Sequence, residues 1–121
     1  MELTPLIQPG RQVIERYGPS GFRVSGSVYL GPVLVFADRT QAWEEAAMTA
    51  AGLAPLVEHG GVELLLLGLG RRMVPVAAAL RASLKAEGIA VEAMDTGAAC
   101  RTYNLLQAED RRVAAALLPA V

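Results

Sequence analysis

The spacing of apolar residues changes several times along the second half of the chain, and each change marks an element. Residues 62–67 are nearly all apolar and lie between glycines, which predicts a strand buried on both faces. Val76, Leu80 and Leu84 then recur four apart, with Arg81 and Lys85 off that stripe. This predicts a helix from Pro75 to about Glu87, with Gly88 just past its end. Residues 89–94 predict another strand. Asp95 or Thr96 caps a third helix over residues 97–108. Alternation of strand and helix favours a parallel βαβ unit with a right-handed crossover.

The first half has shorter periods. Residues 12–17 alternate as a strand does, and the run from Gly18 to Gly21 has the composition of a turn. Residues 22–30 mix aromatic and β-branched side chains around Gly26, read as a bend or bulge. Gly31 and Pro32 break the chain before a short apolar strand over residues 33–36. Residues 13–36 are therefore expected to form an antiparallel meander. Residues 38–45 are read as a turn through Trp43, a candidate core anchor, and residues 50–58 as a helix capped by Thr49 and weakened by Gly52 and Pro55. The alanines of residues 111–118 suit a helix, while the break at Glu109 and Asp110 and the nearby Pro119 allow a strand. The expectation is an α/β fold in one domain over residues 1–121. It comprises an extended lead-in over residues 1–10, a meander, a βαβα unit and a last segment.

Composition narrows the function classes. The chain has 121 residues, 53% of them hydrophobic, enough for one sizeable core. Its net charge of −1 argues against a basic nucleic-acid surface. Ten of its basic residues are Arg and one is Lys, which the codon bias of a GC-rich genome explains. The single cysteine, Cys100, excludes an intramolecular disulfide and makes a reducing, cytoplasmic compartment the default. The first residues do not read as a signal peptide. The longest uncharged run, residues 24–37, contains glycines and a proline and falls short of a membrane span.

The densest side-chain chemistry lies in residues 94–104, Met-Asp-Thr-Gly-Ala-Ala-Cys-Arg-Thr-Tyr-Asn, across a strand end and a helix start. Free N–H groups at a helix N-terminus attract anions, and Gly68 and Gly70 would close the neighbouring strand at the same sheet edge. Gly68, Gly70, Asp95, Thr96, Arg101, Tyr103 and Asn104 are thus the candidate binding residues. Capping and turn formation are the preferred account of the Asp, the Thr and the glycines, since capping alone explains Asp95 and Thr96. Arg101 in a first turn opposes the helix dipole, which points to an acidic partner among Asp95, Glu109 and Asp110 or to an external anion. Cys100 lacks a partner base, because the only histidine, His59, lies in another segment; a buried structural cysteine is the reading preferred. No metal-ligand spacing, catalytic triad or nucleotide loop occurs in the sequence, so no catalytic residue, metal or cofactor is assigned.

Several stretches together resemble one family: Gly-Ser-Val-Tyr-Leu-Gly-Pro-Val-Leu-Val at residues 26–35, Trp43, Leu-Leu-Leu-Gly-Leu-Gly at 65–70, the Met-Asp-Thr to Thr-Tyr-Asn block, and Glu-Asp-Arg-Arg-Val-Ala-Ala-Ala-Leu at 109–117. They are similar to the family of the mitochondrial respiratory complex I assembly factor three and the adipogenesis-associated domain proteins. The similarity runs from about Gln12 to Leu118, and the Met-Asp-Thr to Thr-Tyr-Asn block is its specific part. The resemblance implies a compact α/β domain whose last segment, after Glu109, is a strand. It also implies a family without established enzymatic activity. Its mitochondrial member acts with a partner protein at the inner membrane during assembly of a multi-subunit redox enzyme, and its bacterial members are mostly of unknown function. One departure stands out: the family usually has Gly-Thr-Gly where this chain has Gly68-Leu69-Gly70, so a loop hydroxyl is missing.

Two functional expectations follow. The first is a non-enzymatic interaction or assembly-factor-like module that aids biogenesis of a respiratory or membrane complex. It takes a protein partner, itself a candidate membrane-associated protein. It does not bind nucleic acid or span the membrane, and self-association stays open. The second is a small-molecule or anion site, catalytic or not, at the Gly68–Gly70 and Asp95–Arg101 loops.

Overall fold

A computed structural model describes residues 10–71 and 74–120. The expected lead-in over residues 1–10 lies almost wholly outside the described residues. Strands β1 (Ile14–Tyr17), β2 (Gly21–Val24) and β3 (Ser27–Leu30) form an antiparallel sheet in that order. The second sheet holds β4 (Val33–Val35), β5 (Thr40–Ala42), β6 (Leu64–Gly68), β7 (Ala90–Met94) and β8 (Val113–Leu117), in the order β5-β4-β8-β6-β7. Strand β6 runs parallel to both β7 and β8, whereas β4 is antiparallel to β5 and β8. Helices α1 (Ala54–His59), α2 (Ala78–Ala86) and α3 (Thr96–Ala108) connect the strands.

Alternation along the central strands divides the core into two layers. Leu34, Leu65, Leu67, Ala114 and Ala116 face a cluster with Trp43, Leu56, Leu80 and Leu84, beneath α1 and α2. Val33, Val35, Leu66, Ala115 and Leu117 face the opposite cluster, with Ile14, Phe22 and Val24 of the small sheet and Ala99, Cys100 and Tyr103 of α3. Successive side chains of a strand point to opposite faces, so a strand covered on both sides reads as an unbroken apolar run. This settles the last segment. All five residues of β8 are buried, between β4 and β6, and its alanines fit a central strand rather than a helix.

Several expected boundaries move. The meander ends at β3. Gly31, at φ +79°, and Pro32 carry the chain into the larger sheet, so β4 does not pair with β3. The expected single run over residues 22–30 is a hairpin. Ser25 and Gly26, with φ of 44° and 86°, form the two-residue turn whose twist suits antiparallel strands. The stretch read as a turn through Trp43 contains β5. Trp43 is buried and donates its indole N–H to the Gly52 carbonyl at 2.9 Å.

Helix α1 starts at Ala54 rather than residue 50. Thr49 accepts from the Gly52 N–H in a preceding turn, and Pro55 sits in the first helical turn, where a proline is tolerated. A side chain at Gly52 would lie 2.3 Å from the Ala47 carbonyl oxygen, so that turn requires glycine. Helix α2 starts at Ala78, not Pro75, yet Val76 still packs on the core. Gly88 ends it as expected, at φ +80°.

Candidate functional site

Parallel pairing of β6 with β7 sets Gly68 opposite Met94, so the two suspected loops do meet at the C-terminal ends of these strands. Thr96 joins them. Its hydroxyl accepts from the Gly70 N–H at 2.8 Å and donates to the Leu118 carbonyl at 2.7 Å, while its own N–H donates to the Gly70 carbonyl. One buried side chain therefore ties together the ends of β6, β7 and β8. Gly68 is needed for packing: an added Cβ would come within 2.7 Å of the Leu117 side chain. Gly70 adopts φ +75°, where glycine is favoured.

Asp95, rather than Thr96, is the N-cap of α3, and its carboxylate accepts from the Ala98 N–H at 2.9 Å. The cap thus supplies the negative charge that an anion would bring to this helix end. A hollow of about 270 Å³ remains beside it, lined by Tyr17, Gly70, Arg71, Asp95, Gly97 and Ala120. A side chain on Gly97 would lie 2.5 Å from the Tyr17 hydroxyl oxygen, so glycine here admits close packing of β1 on α3.

The remaining candidates are not brought to that end. Tyr103 is buried, and its hydroxyl lies 3.1 Å from each of two acceptors, the Gln12 and Phe36 carbonyls, with one proton to share. Burial pushes its ionisation well above the ordinary phenol range. Asn104 accepts from the Ile14 N–H at 2.9 Å and donates to the Ile14 carbonyl at 2.7 Å. Arg101 is exposed, and none of its three expected carboxylates is ion-paired with it. Asp95 caps α3, Asp110 pairs with Arg11, and Glu109 makes no ion pair among the described residues. Tyr103 and Asn104 thus bond within the fold, whereas Arg101 does not take up the internal carboxylate expected for it. Cys100 is buried, and desolvation, opposed by Arg101, raises its thiol to about 12. Such a thiol is not a nucleophile near neutral pH.

Two features escaped the sequence reading. The first is a hollow of about 460 Å³ at the opposite end of β6 and β8, lined by Arg11, Arg111, Arg112, Asp110 and His59 among others. His59 stacks on Phe36 with ring centres 4.1 Å apart, and its Nε2 lies 2.6 Å from Asp38. The second is the outer face of the small sheet, where Val28 and Leu30 are 67% and 78% exposed. Both border a hollow of about 420 Å³ with Arg16 and Arg23. An uncharged β3 with apolar residues on both faces was the available signal.

Comparison with known proteins places this architecture. Residues 14–118 match the model of the family described as protein of unknown function (DUF498/DUF598). An uncharacterised protein of Rhodobacter capsulatus is 41% identical, over 91% of this chain and 86% of its own. The protein of Danio rerio called NADH dehydrogenase [ubiquinone] 1 alpha subcomplex assembly factor 3 is 38% identical over 88% of this chain. The match spans 64% of that protein's length, so about a third of it has no counterpart here. A crystal structure from Bartonella henselae, described as an outer membrane protein, superposes with a TM-score of 0.83 at 33% identity, covering 93% of this chain and 98% of that one. A Mth938-like domain from Bordetella pertussis gives 0.76 at 31% identity, covering 98% and 92%. Among the described residues no helix is long and apolar enough to cross a membrane. The chain belongs to the DUF498/DUF598 family, which it shares with relatives named as complex I assembly factors.

Proposed function

We propose that the chain is a protein-binding module of the assembly-factor type, acting by association with another protein during biogenesis of a respiratory or membrane complex. The observation that carries this reading is where the chemistry of residues 95–104 goes. Asp95, Thr96, Tyr103 and Asn104 each bond to backbone groups of the fold, and the Cys100 thiol is buried. The block that looks most like a site in the sequence fastens the small sheet and three strand ends to α3. What it leaves for function is the outer surface. The relatives named as assembly factors support the same direction.

The test is a crosslinking pull-down of the tagged chain from its native cells, with the bound proteins identified by mass spectrometry. The expected result is reproducible enrichment of subunits or assembly proteins of one multi-subunit membrane complex. Recovery of nothing but the chain itself would refute the reading.

A further inference from the structure

Among the described residues four strands lie at sheet edges, and three of them are protected. On β1, Asn104 bonds both backbone groups of Ile14. On β7, Arg81 donates to the Val91 carbonyl at 2.6 Å, and Glu92 is an exposed charge. Strand β5 is three residues long and carries the polar Thr40 and Gln41. Such devices normally keep an edge from recruiting another strand. Strand β3 has none of them: it lies within the uncharged run of residues 24–37.

The ladder phase shows which of its groups face outward. Gly31 donates to the Ser20 carbonyl at 2.9 Å, which makes Gly31 and Ser20 a hydrogen-bonded pair. In an antiparallel ladder such pairs alternate, so Tyr29–Phe22 and Ser27–Val24 are bonded pairs as well. Val28 and Leu30 therefore turn their backbone N–H and C=O groups away from β2. Their side chains are the two most exposed large apolar ones among the described residues.

We propose that β3 is a strand-addition edge whose occupant is β3 of a second copy of this chain, antiparallel about a twofold axis. The register follows from the geometry. The outward groups belong to Val28 and Leu30, so the axis passes beside Tyr29, and Val28 of each copy exchanges hydrogen bonds with Leu30 of the other. The same pairing sets Val28 against Leu30 on the solvent face, twice, and joins the two small sheets into one of six strands. With no charge on β3 the strand does not repel its own copy, as an isologous contact requires. Two four-residue strands bury far less than the roughly 1,600 Å² of a standard stable interface. The dimer is accordingly weak and concentration-dependent.

Sedimentation velocity of the whole chain over a wide concentration range tests this directly. The mass should rise from one chain towards two, and Leu30→Lys or Val28→Lys should each hold it at one chain, with circular dichroism spectra like the parent's. For the register, chains carrying Val28→Cys mixed with chains carrying Leu30→Cys should crosslink on mild oxidation far faster than either variant alone. A one-chain mass at every concentration would overturn the proposal, as would a dimer insensitive to both lysine variants. If the chain stays single while Leu30→Lys abolishes recovery of a co-purifying protein, the edge belongs to a different protein and the second-copy assignment is wrong.

Discussion

Asn104 holds both backbone groups of Ile14, ninety positions earlier in the chain, through one side-chain amide. The amide does for β1 what a neighbouring strand would do. It also fixes the small sheet on α3 at a point where neither backbone group can reach water. Replacing Asn104 with Leu removes a donor and an acceptor together and strands two buried backbone groups. Each such loss costs about 1–3 kcal/mol, so Asn104→Leu should destabilise the fold by about 2–6 kcal/mol in urea melts. A loss below about 0.5 kcal/mol, the scale of ordinary surface substitutions, would mean that β1 is not held this way.

Helices α2 and α3 end in the same hydrogen-bond pattern. In α2, Ile89 donates to Leu84 and Gly88 to Lys85; in α3, Arg111 donates to Leu106 and Asp110 to Gln107. Asp110 thus stands where α2 has glycine, at φ +61°. Its carboxylate pairs with Arg11, with the side chains 71% and 33% exposed. An ion pair this exposed contributes about 0–1 kcal/mol and weakens with salt, while a side chain in the left-handed region costs about 1 kcal/mol. Asp110→Asn, which keeps a residue tolerant of that conformation, should lose at most about 1 kcal/mol, and less at high salt. Asp110→Gly should be the more stable of the two variants. Thermal melts at low and high salt give the order, and a glycine variant less stable than the asparagine one would show that φ is not the controlling factor.

Strand β6 of the βαβα unit was legible because burial on both faces leaves a plain sequence mark, the apolar run that ends at Gly68. The small strands were harder. Whether β4 continues the meander or joins the larger sheet depends on the backbone at Gly31 and on β8, eighty residues away, and neither shows in a local pattern. The meeting of the Gly68 and Asp95 loops was readable from parallel pairing. The use of their polar groups was not. Thr96, Tyr103 and Asn104 bond to carbonyls of Leu118, Gln12, Phe36 and Ile14, partners that only the tertiary fold supplies. Arg101 illustrates the limit of a local electrostatic argument: its misfit with the α3 dipole suggested an internal carboxylate, yet the side chain is exposed. Arg101→Ala should therefore leave the denaturation midpoint within about 0.5 kcal/mol of the parent. A larger loss would restore a structural role.

Asp38 should leave a mark on acid stability. The hydrogen bond from His59, helped by the charges of His59 and Arg39, holds its carboxyl below the ordinary value of 3.8, against a smaller opposing effect of burial. A carboxyl lowered by folding stabilises above its unfolded pKa, and that contribution disappears as pH falls through the folded value. The parent should therefore be more stable than Asp38→Asn at pH 6, and the two should converge on acidification below the ordinary carboxylate range. Parallel stability curves, with a constant gap through the acid limb, would show that the contact does not depend on the charge.

Gln107 presents the opposite case to Asn104, three residues earlier on the same helix. It is fully buried, and neither its amide oxygen nor its amide nitrogen has a hydrogen-bond partner among the described residues. A buried polar group without a partner loses its hydration and recovers nothing, whereas an apolar side chain of the same length and shape loses little on burial. Methionine matches glutamine in length, is flexible enough to fit the same space and fills irregular gaps well. Gln107→Met should thus raise stability by about 1–2 kcal/mol, read as a higher urea midpoint with an unchanged slope. Gln107→Ala separates packing from polarity. It removes the same unpaired amide but opens a cavity, so it should fall below Gln107→Met by about 2 kcal/mol or more. If Gln107→Met instead lowers the midpoint, the amide is engaged in solution, and its hydrogen bonds are worth more than the apolar contacts methionine would make.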